Sequence, residues 1–77
     1  MPDPEFLMEI MEFRQSAEDA NNDDALKILQ SKTQAKLEEC RSSFSTAYGS
    51  HDFSSAISSV QKMSYYERVN EEISKKL

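Results

Sequence analysis

Reactive side chains are few in this sequence. His51 is the single histidine and Cys40 the single cysteine, so neither a C-x-x-C nor an H-E-x-x-H metal motif is present. Cys40 falls on a helical apolar stripe, where a cysteine usually acts as a small hydrophobe, and His51 falls in a turn. Glu9 and Glu12 have no His, Lys or Ser arranged beside them as catalytic partners. The sequence therefore predicts no enzyme, no cofactor and no metal site.

The sequence instead offers apolar side chains for contact with another surface. FLMEIMEFRQ, residues 6–15, holds six large apolar side chains in ten positions, whereas one helix face uses about three or four per two turns. On a helical wheel these side chains divide into two stripes. The second stripe contains Leu7, Met8 and Met11. The first has spacings of 4, 3, 4 and 3, which are typical of a bundle seam: Phe6, Ile10, Phe13, Ala17 and Ala20.

The second stripe admits two interpretations. If helix 1 lies deep in the protein, both stripes are core. Alternatively, Leu7, Met8 and Met11 form an exposed patch for a protein partner, for which flexible, polarisable methionine is well suited. Tyr65 fits neither apolar stripe of the third helix and is the type of side chain enriched at binding hot spots. Polar and charged side chains lie around the proposed patch: Glu12, Arg14, Gln15 and Asp19.

Three helices must position these residues. Asp3 as N-cap and Pro4 at N1 predict a first helix that runs to about Ala20. The turn residues NNDD precede a second helix from about Asp24 to Tyr48, with Gly49 as its C′ residue. The third helix should run from about Phe53 to Lys75, capped by Asp52 or Ser50.

Short connections predict antiparallel neighbours, hence an all-α, antiparallel three-helix bundle with a long helix 2–helix 3 hairpin. Helix 1 is the shortest, so part of that hairpin should project beyond it. The predicted stripe of helix 2 is Leu26, Leu29, Thr33, Leu37, Cys40, Phe44 and Ala47. Helix 3 should begin with Phe53, Ala56, Ile57, Val60 and Met63 and then change face to Tyr66, Val69 and Ile73.

Length and charge exclude several classes of protein. The chain has 77 residues, enough for one domain, and 30% of them are charged. Its net charge of -5 argues against nucleic acid or an anionic membrane as a partner, because both bind clustered Lys and Arg. No apolar run approaches the length of a membrane span. The acidic start, MPDPEF, resembles neither a signal peptide nor a transit peptide.

Three segments resemble one family. FLMEIMEFR, residues 6–14, is similar to the first helix of the C-terminal domain of the HscB family, the J-type co-chaperones of iron–sulfur cluster assembly. HDFSSAISSVQKM, residues 51–63, resembles the stretch that leads into that family's closing helix. The ending KMSYYERVNEEISKKL resembles the closing helix itself. The resemblance covers nearly the whole chain and makes residues 1–77 an HscB-like C-terminal domain, without the His-Pro-Asp J domain of the full proteins.

The resemblance implies a function and a site. In the family this module binds the IscU-type scaffold protein and delivers it to a DnaK-type chaperone, whose ATPase the J domain stimulates. Carried over to this chain, the scaffold-contacting positions are Leu7, Met8, Met11, Glu12, Arg14, Gln15, Asp19 and Tyr65. Gln15 stands where the family often has Glu, and Ser64 where a basic residue often precedes the aromatic, so both departures should weaken polar contacts.

The compartment that the resemblance implies is the mitochondrial matrix, with the bacterial cytoplasm as the other possibility. The rival hypothesis is a helical adaptor or oligomerisation bundle with no link to iron–sulfur proteins. In that case Leu7, Met8 and Met11 would be buried in a symmetric contact between copies. An upstream J domain would decide between the two hypotheses.

Overall fold

A computed structural model describes residues 3–77 as three α-helices. They are α1 (Pro4–Asp19), α2 (Asp23–Gly49) and α3 (Phe53–Lys76), and the described residues contain no strand. The predicted all-α bundle with a long α2–α3 hairpin is confirmed. Residues 1 and 2, which belong to the predicted domain, lie outside the described residues.

All three helices begin at a polar cap. Asp3, Asn22 and Asp52 each accept a hydrogen bond from the backbone N–H three residues further on, at 2.8, 2.8 and 3.2 Å. Each cap satisfies one of the N–H groups that lack a partner in the first turn. α1 ends at Asp19, one residue before the predicted end, because Ala20 already has extended backbone angles.

The end of α2 differs from the prediction. Gly49 is the last helical residue, Ser50 is the C-cap, and His51 has the left-handed conformation, with φ 61°. The His51 N–H donates to the Tyr48 carbonyl at 3.1 Å, and the Asp52 N–H donates to the Ala47 carbonyl at 2.8 Å. This is the hydrogen-bond pattern of a Schellman motif with His51, not Gly49, at C′. Histidine is one of the few non-glycine residues that adopt this conformation with some frequency.

α1 packs on the lower part of the hairpin and runs parallel to α3. Near its start the Phe6 ring lies edge-on to Tyr66, with centroids 5.5 Å apart, and near its end Arg14 pairs with Glu72 at 3.5 Å. The Lys76 ammonium donates to three carbonyls at the C-terminal end of α1, at 2.7, 3.1 and 3.0 Å. A cation there satisfies carbonyls that the helix leaves without partners and complements its dipole.

The core lies where all three helices meet. Val69 and Ile73 are completely buried, and Thr33 is buried with its hydroxyl donating to the Leu29 carbonyl at 2.9 Å. This largely confirms the predicted stripes of α1, α2 and the second half of α3. The apolar cluster consists of Phe6, Ile10, Ala17, Leu26, Leu29, Leu37, Cys40, Tyr66, Val69 and Ile73.

The prediction for the first half of α3 is wrong. Phe53, Ile57 and Val60 are 52%, 60% and 48% exposed, while the small side chains of Ala56 and Ser59 are buried. The reason is the length of α1: its first turn is level with Tyr65 and Tyr66, and Lys62 lies over the Phe6 ring, so the stretch of α3 from Phe53 to Val60 extends beyond most of α1. Two helices bury a narrow strip between them, and small side chains fill it.

Candidate protein-binding site

One apolar stripe of α1 is buried and the other is exposed. Phe6 and Ile10 are buried, whereas Leu7, Met8 and Met11 are 36%, 61% and 68% exposed. The interpretation in which both stripes are core is therefore wrong for the single chain. We call Leu7, Met8 and Met11 the helix-1 patch.

A polar cluster joins α1 to the other two helices. Glu9 accepts a hydrogen bond from the Tyr66 hydroxyl at 3.2 Å and pairs with the Lys36 ammonium at 3.2 Å. The hydrogen bond to Glu9 raises the pKa of Lys36, and burial together with the Glu9 charge raises the pKa of Tyr66. Because Glu9 is held against both other helices, α1 cannot rotate without breaking these contacts. The sequence analysis did not predict this cluster.

Tyr65 lies beside the start of α1 and is half-buried. Its ring meets Phe6 edge-on, with centroids 5.6 Å apart, and packs against the edge of the core. The sequence analysis placed Tyr65 outside both stripes of α3. The contact with Phe6 fixes the orientation of the Tyr65 ring and leaves part of the ring exposed. Since Phe6 directly precedes Leu7, this contact brings Tyr65 next to the turn that carries the helix-1 patch.

The polar border of the patch is partly engaged within the molecule. Arg14 pairs with Glu72 at 3.5 Å, with both side chains about half exposed, and Gln15 donates to the Asp19 carboxylate at 3.0 Å. Glu12 is exposed. An ion pair as exposed as that of Arg14 contributes little to stability.

Arg68 is an exposed cation beside Tyr65 that sequence reasoning did not single out. It is exposed on α3 and lines one shallow depression with Gln61, Ser64 and Tyr65. No salt bridge to Arg68 occurs within residues 3–77. The available signal was spacing: Arg68 follows Ser64 by four residues, so the two share a helix face. Arg68 thus restores, one turn later, the positive charge that Ser64 lacks.

The single thiol of the chain lies in the interior. Cys40 is buried in the core, and burial raises the pKa of its thiol, which disfavours the nucleophilic thiolate. In residues 3–77, no group of three or more His, Cys, Asp or Glu side chains is placed to hold a metal ion. Over the same residues, no helix combines the length and apolarity that a membrane crossing requires.

Exposed apolar patches on small bundles are common at protein-binding surfaces. The chain belongs to the family described as the HSCB C-terminal oligomerisation domain, whose model matches residues 2–74. This confirms the family resemblance found in the sequence.

Curated relatives carry related names. The chain is 44% identical over 75 residues to the "Iron-sulfur cluster co-chaperone protein HscB homolog" of Arabidopsis thaliana, a match to 97% of this chain and 30% of that protein. It is 34% identical over 71 residues to the "Iron-sulfur cluster co-chaperone protein HscB" of Homo sapiens, again covering 30% of that protein. The chain thus spans about a third of the length of these relatives. No solved structure gives a significant match.

Proposed function

We propose that this chain is the scaffold-binding module of an iron–sulfur cluster co-chaperone. It binds an IscU-type scaffold protein through the helix-1 patch and Tyr65, and it does no chemistry itself. A J domain in the full-length protein then presents the scaffold to a DnaK-type chaperone, in the mitochondrial matrix. The observation that supports this most directly is the exposure of Leu7, Met8 and Met11 in a member of a family whose relatives are named as iron–sulfur co-chaperones.

The physical basis of recognition is burial of the patch. Leu7, Met8 and Met11 occupy the first half of α1, where α1 is fixed to both other helices through Glu9. The patch is therefore preorganised, and little ordering cost is incurred on binding. The iron–sulfur cluster is the cargo of the scaffold, so recognition of the scaffold surface needs no metal ligand in this chain. Glu12, Arg14, Gln15 and Asp19 form the polar border of the contact, and such a border acts mainly on association rate.

The test is the double variant Leu7→Ala, Met11→Ala, titrated calorimetrically with a purified IscU-type scaffold. Exposed side chains contribute about 0.5 kcal/mol or less to stability, so the melting temperature should change little. Truncation of hot-spot residues costs about 2 kcal/mol of binding or more, so affinity should fall at least about tenfold.

Two control variants make the result interpretable. Ile28→Ala removes an equally exposed apolar side chain, at 60% exposure, on α2 and should leave scaffold binding unchanged. Phe13→Ala removes a ring that meets Tyr66 edge-on at 5.9 Å and should lower stability by about 2 kcal/mol or more. If the double variant binds the scaffold as tightly as the unchanged chain does, the helix-1 patch is not the scaffold site.

A further inference from the structure

The two halves of α1 are held to the rest of the molecule in different ways. The first half buries the large apolar side chains of Phe6 and Ile10. In the second half, from residue 12 onward, the Phe13 ring is partly buried, and the only fully buried side chain is the methyl group of Ala17. The far end of α1 therefore depends on polar contacts with α3.

The last turn of α1 is electrostatically unfavourable by itself. Glu18 and Asp19 place two carboxylates where the helix dipole already carries partial negative charge, and this turn contains no basic residue. The last turns of α2 and α3 contain neither Asp nor Glu. Asp19 belongs to the polar border of the proposed scaffold contact, so a residue of the site occupies a position that weakens its own helix.

Lys76, on α3, offsets this weakness. Its ammonium donates to the carbonyls of Ala17, Glu18 and Ala20, at 2.7, 3.1 and 3.0 Å. An ammonium has three N–H donors, and all three are used at the end of α1 where carbonyls lack partners within the helix. Hydrogen bonds from a charged donor are stronger than neutral ones. Lys76 thus supplies the cation that the last turn of α1 lacks.

We propose that Lys76 is a positioning residue of the scaffold site, an inference that rests on the proposed function. Its ammonium keeps the last turn of α1 helical, so that Gln15 and Asp19 stay in the arrangement that meets the scaffold. Gln15 donates to the Asp19 carboxylate at 3.0 Å, and a pair four residues apart is in contact only while the backbone between them is helical.

Lys76 acts on the polar border and leaves the helix-1 patch in place. The patch lies on the first half of α1, where Phe6 is buried and Glu9 contacts both other helices. Loss of the Lys76 contacts lets the last turn fray, so that fewer encounters with the scaffold find Gln15 and Asp19 in position. The rate of association should therefore change more than the rate of dissociation.

The test is Lys76→Gln, which removes the charge and keeps most of the side chain. Amide hydrogen exchange, measured by NMR, should become at least about tenfold faster in residues 17–20 and stay unchanged in residues 8–11. Stopped-flow association with a purified IscU-type scaffold should slow roughly two- to fivefold, with little change in dissociation. Lys76→Arg keeps a cation with N–H donors and should largely retain the original values of both.

The matched control is Lys75→Gln, which removes the same charge one position earlier. Lys75 is exposed, and within residues 3–77 its side chain makes no hydrogen bond or salt bridge. This change should leave exchange and association nearly as they are. A second comparison uses the background Gln15→Ala, Asp19→Asn. There Lys76→Gln should still speed exchange but should slow association no further, because the side chains through which it acts are gone.

Unchanged exchange of residues 17–20 in Lys76→Gln would overturn the proposal outright. Its role at the site would be overturned by faster exchange without slower association, by an equal effect of Lys75→Gln, or by a further loss in the Gln15/Asp19 background. Failure of the unchanged chain to bind the scaffold is a distinguishable result. It would overturn the proposed function and with it the role of Lys76 in scaffold binding, whereas the exchange measurement still decides whether Lys76 holds α1.

Discussion

At the residue scale, individual side chains of the candidate site have separable roles. Leu7, Met8 and Met11 supply exposed apolar area, while Glu9, one position away from Met8, holds α1 in place. Arg68 lines the same depression as Tyr65. Because the apolar residues determine how long a complex lasts and the charged ones how fast it forms, different measurements distinguish them.

Arg68→Gln should slow association with the scaffold roughly two- to fivefold, the range expected for an exposed ion pair, with little change in dissociation. The rate should also depend less on salt, since one charge no longer contributes to steering. Stopped-flow association at several salt concentrations measures both effects. Arg41→Gln is the control, because Arg41 is also exposed but pairs with Glu38 within α2. Equal effects of the two changes would exclude a specific role for Arg68.

At the scale of the elements, two neighbouring residues of the α2–α3 turn each adopt a backbone conformation that is unfavourable for their residue type. Gly49 is helical, where glycine costs about 0.5–1 kcal/mol relative to alanine, and a methyl group there would meet no atom within 4 Å. His51 has φ 61°, a conformation that costs a residue with a Cβ about 1 kcal/mol or more.

Gly49→Ala should therefore raise the free energy of unfolding by about 0.5–1 kcal/mol, and His51→Gly should raise it by up to about 1 kcal/mol. Urea denaturation measures both changes. The sequence-based assignment of Gly49 to C′ requires the opposite sign for the first change. A loss of stability in Gly49→Ala would show that Gly49, not His51, occupies the left-handed position in solution.

At the scale of the whole molecule, the contacts between α1 and the hairpin depend on protonation. The pKa of Tyr66 is raised by burial and by Glu9, and that of Lys36 by its hydrogen bond to Glu9. A raised pKa in the folded state means that the stabilisation is complete below the ordinary pKa and is lost as the pH rises through the folded pKa. Loss of a proton from either group should therefore lower the stability of the fold in alkaline solution, above about pH 10.

The free energy of unfolding should fall by about 1 kcal/mol or more between neutral pH and about pH 11. Tyr66→Phe keeps the buried ring but removes the titrating hydroxyl, so its stability should fall less over this interval. Tyr48→Phe, at an exposed tyrosine, should retain the alkaline loss of the unchanged chain. Parallel urea titrations at the two pH values test this, and identical alkaline losses in all three proteins would contradict it.

The number of helices, their starts and the two stripes of α1 followed from the sequence because they depend on residues close together in the chain. Asp3 and Asp52 cap the next turn, and the stripes of residues 6–15 repeat with the helical period. The direction in which each stripe points depends on residues that are distant in sequence. Phe6 and Ile10 are buried against residues of the other two helices, and Glu9 accepts a hydrogen bond from Tyr66, 57 positions away, so the helix-1 patch lies on the outer side of α1.

The first half of α3 shows the same division. The spacing of Phe53, Ile57 and Val60 predicted a core stripe, but the tertiary structure leaves all three side chains about half exposed or more. Burial there depends on how far α1 extends along α3, and that is determined by where Phe6 meets Tyr65 and Tyr66. A periodic pattern identifies the apolar face of a helix. Whether that face is buried, and against which residues, is determined by the relative placement of all three helices.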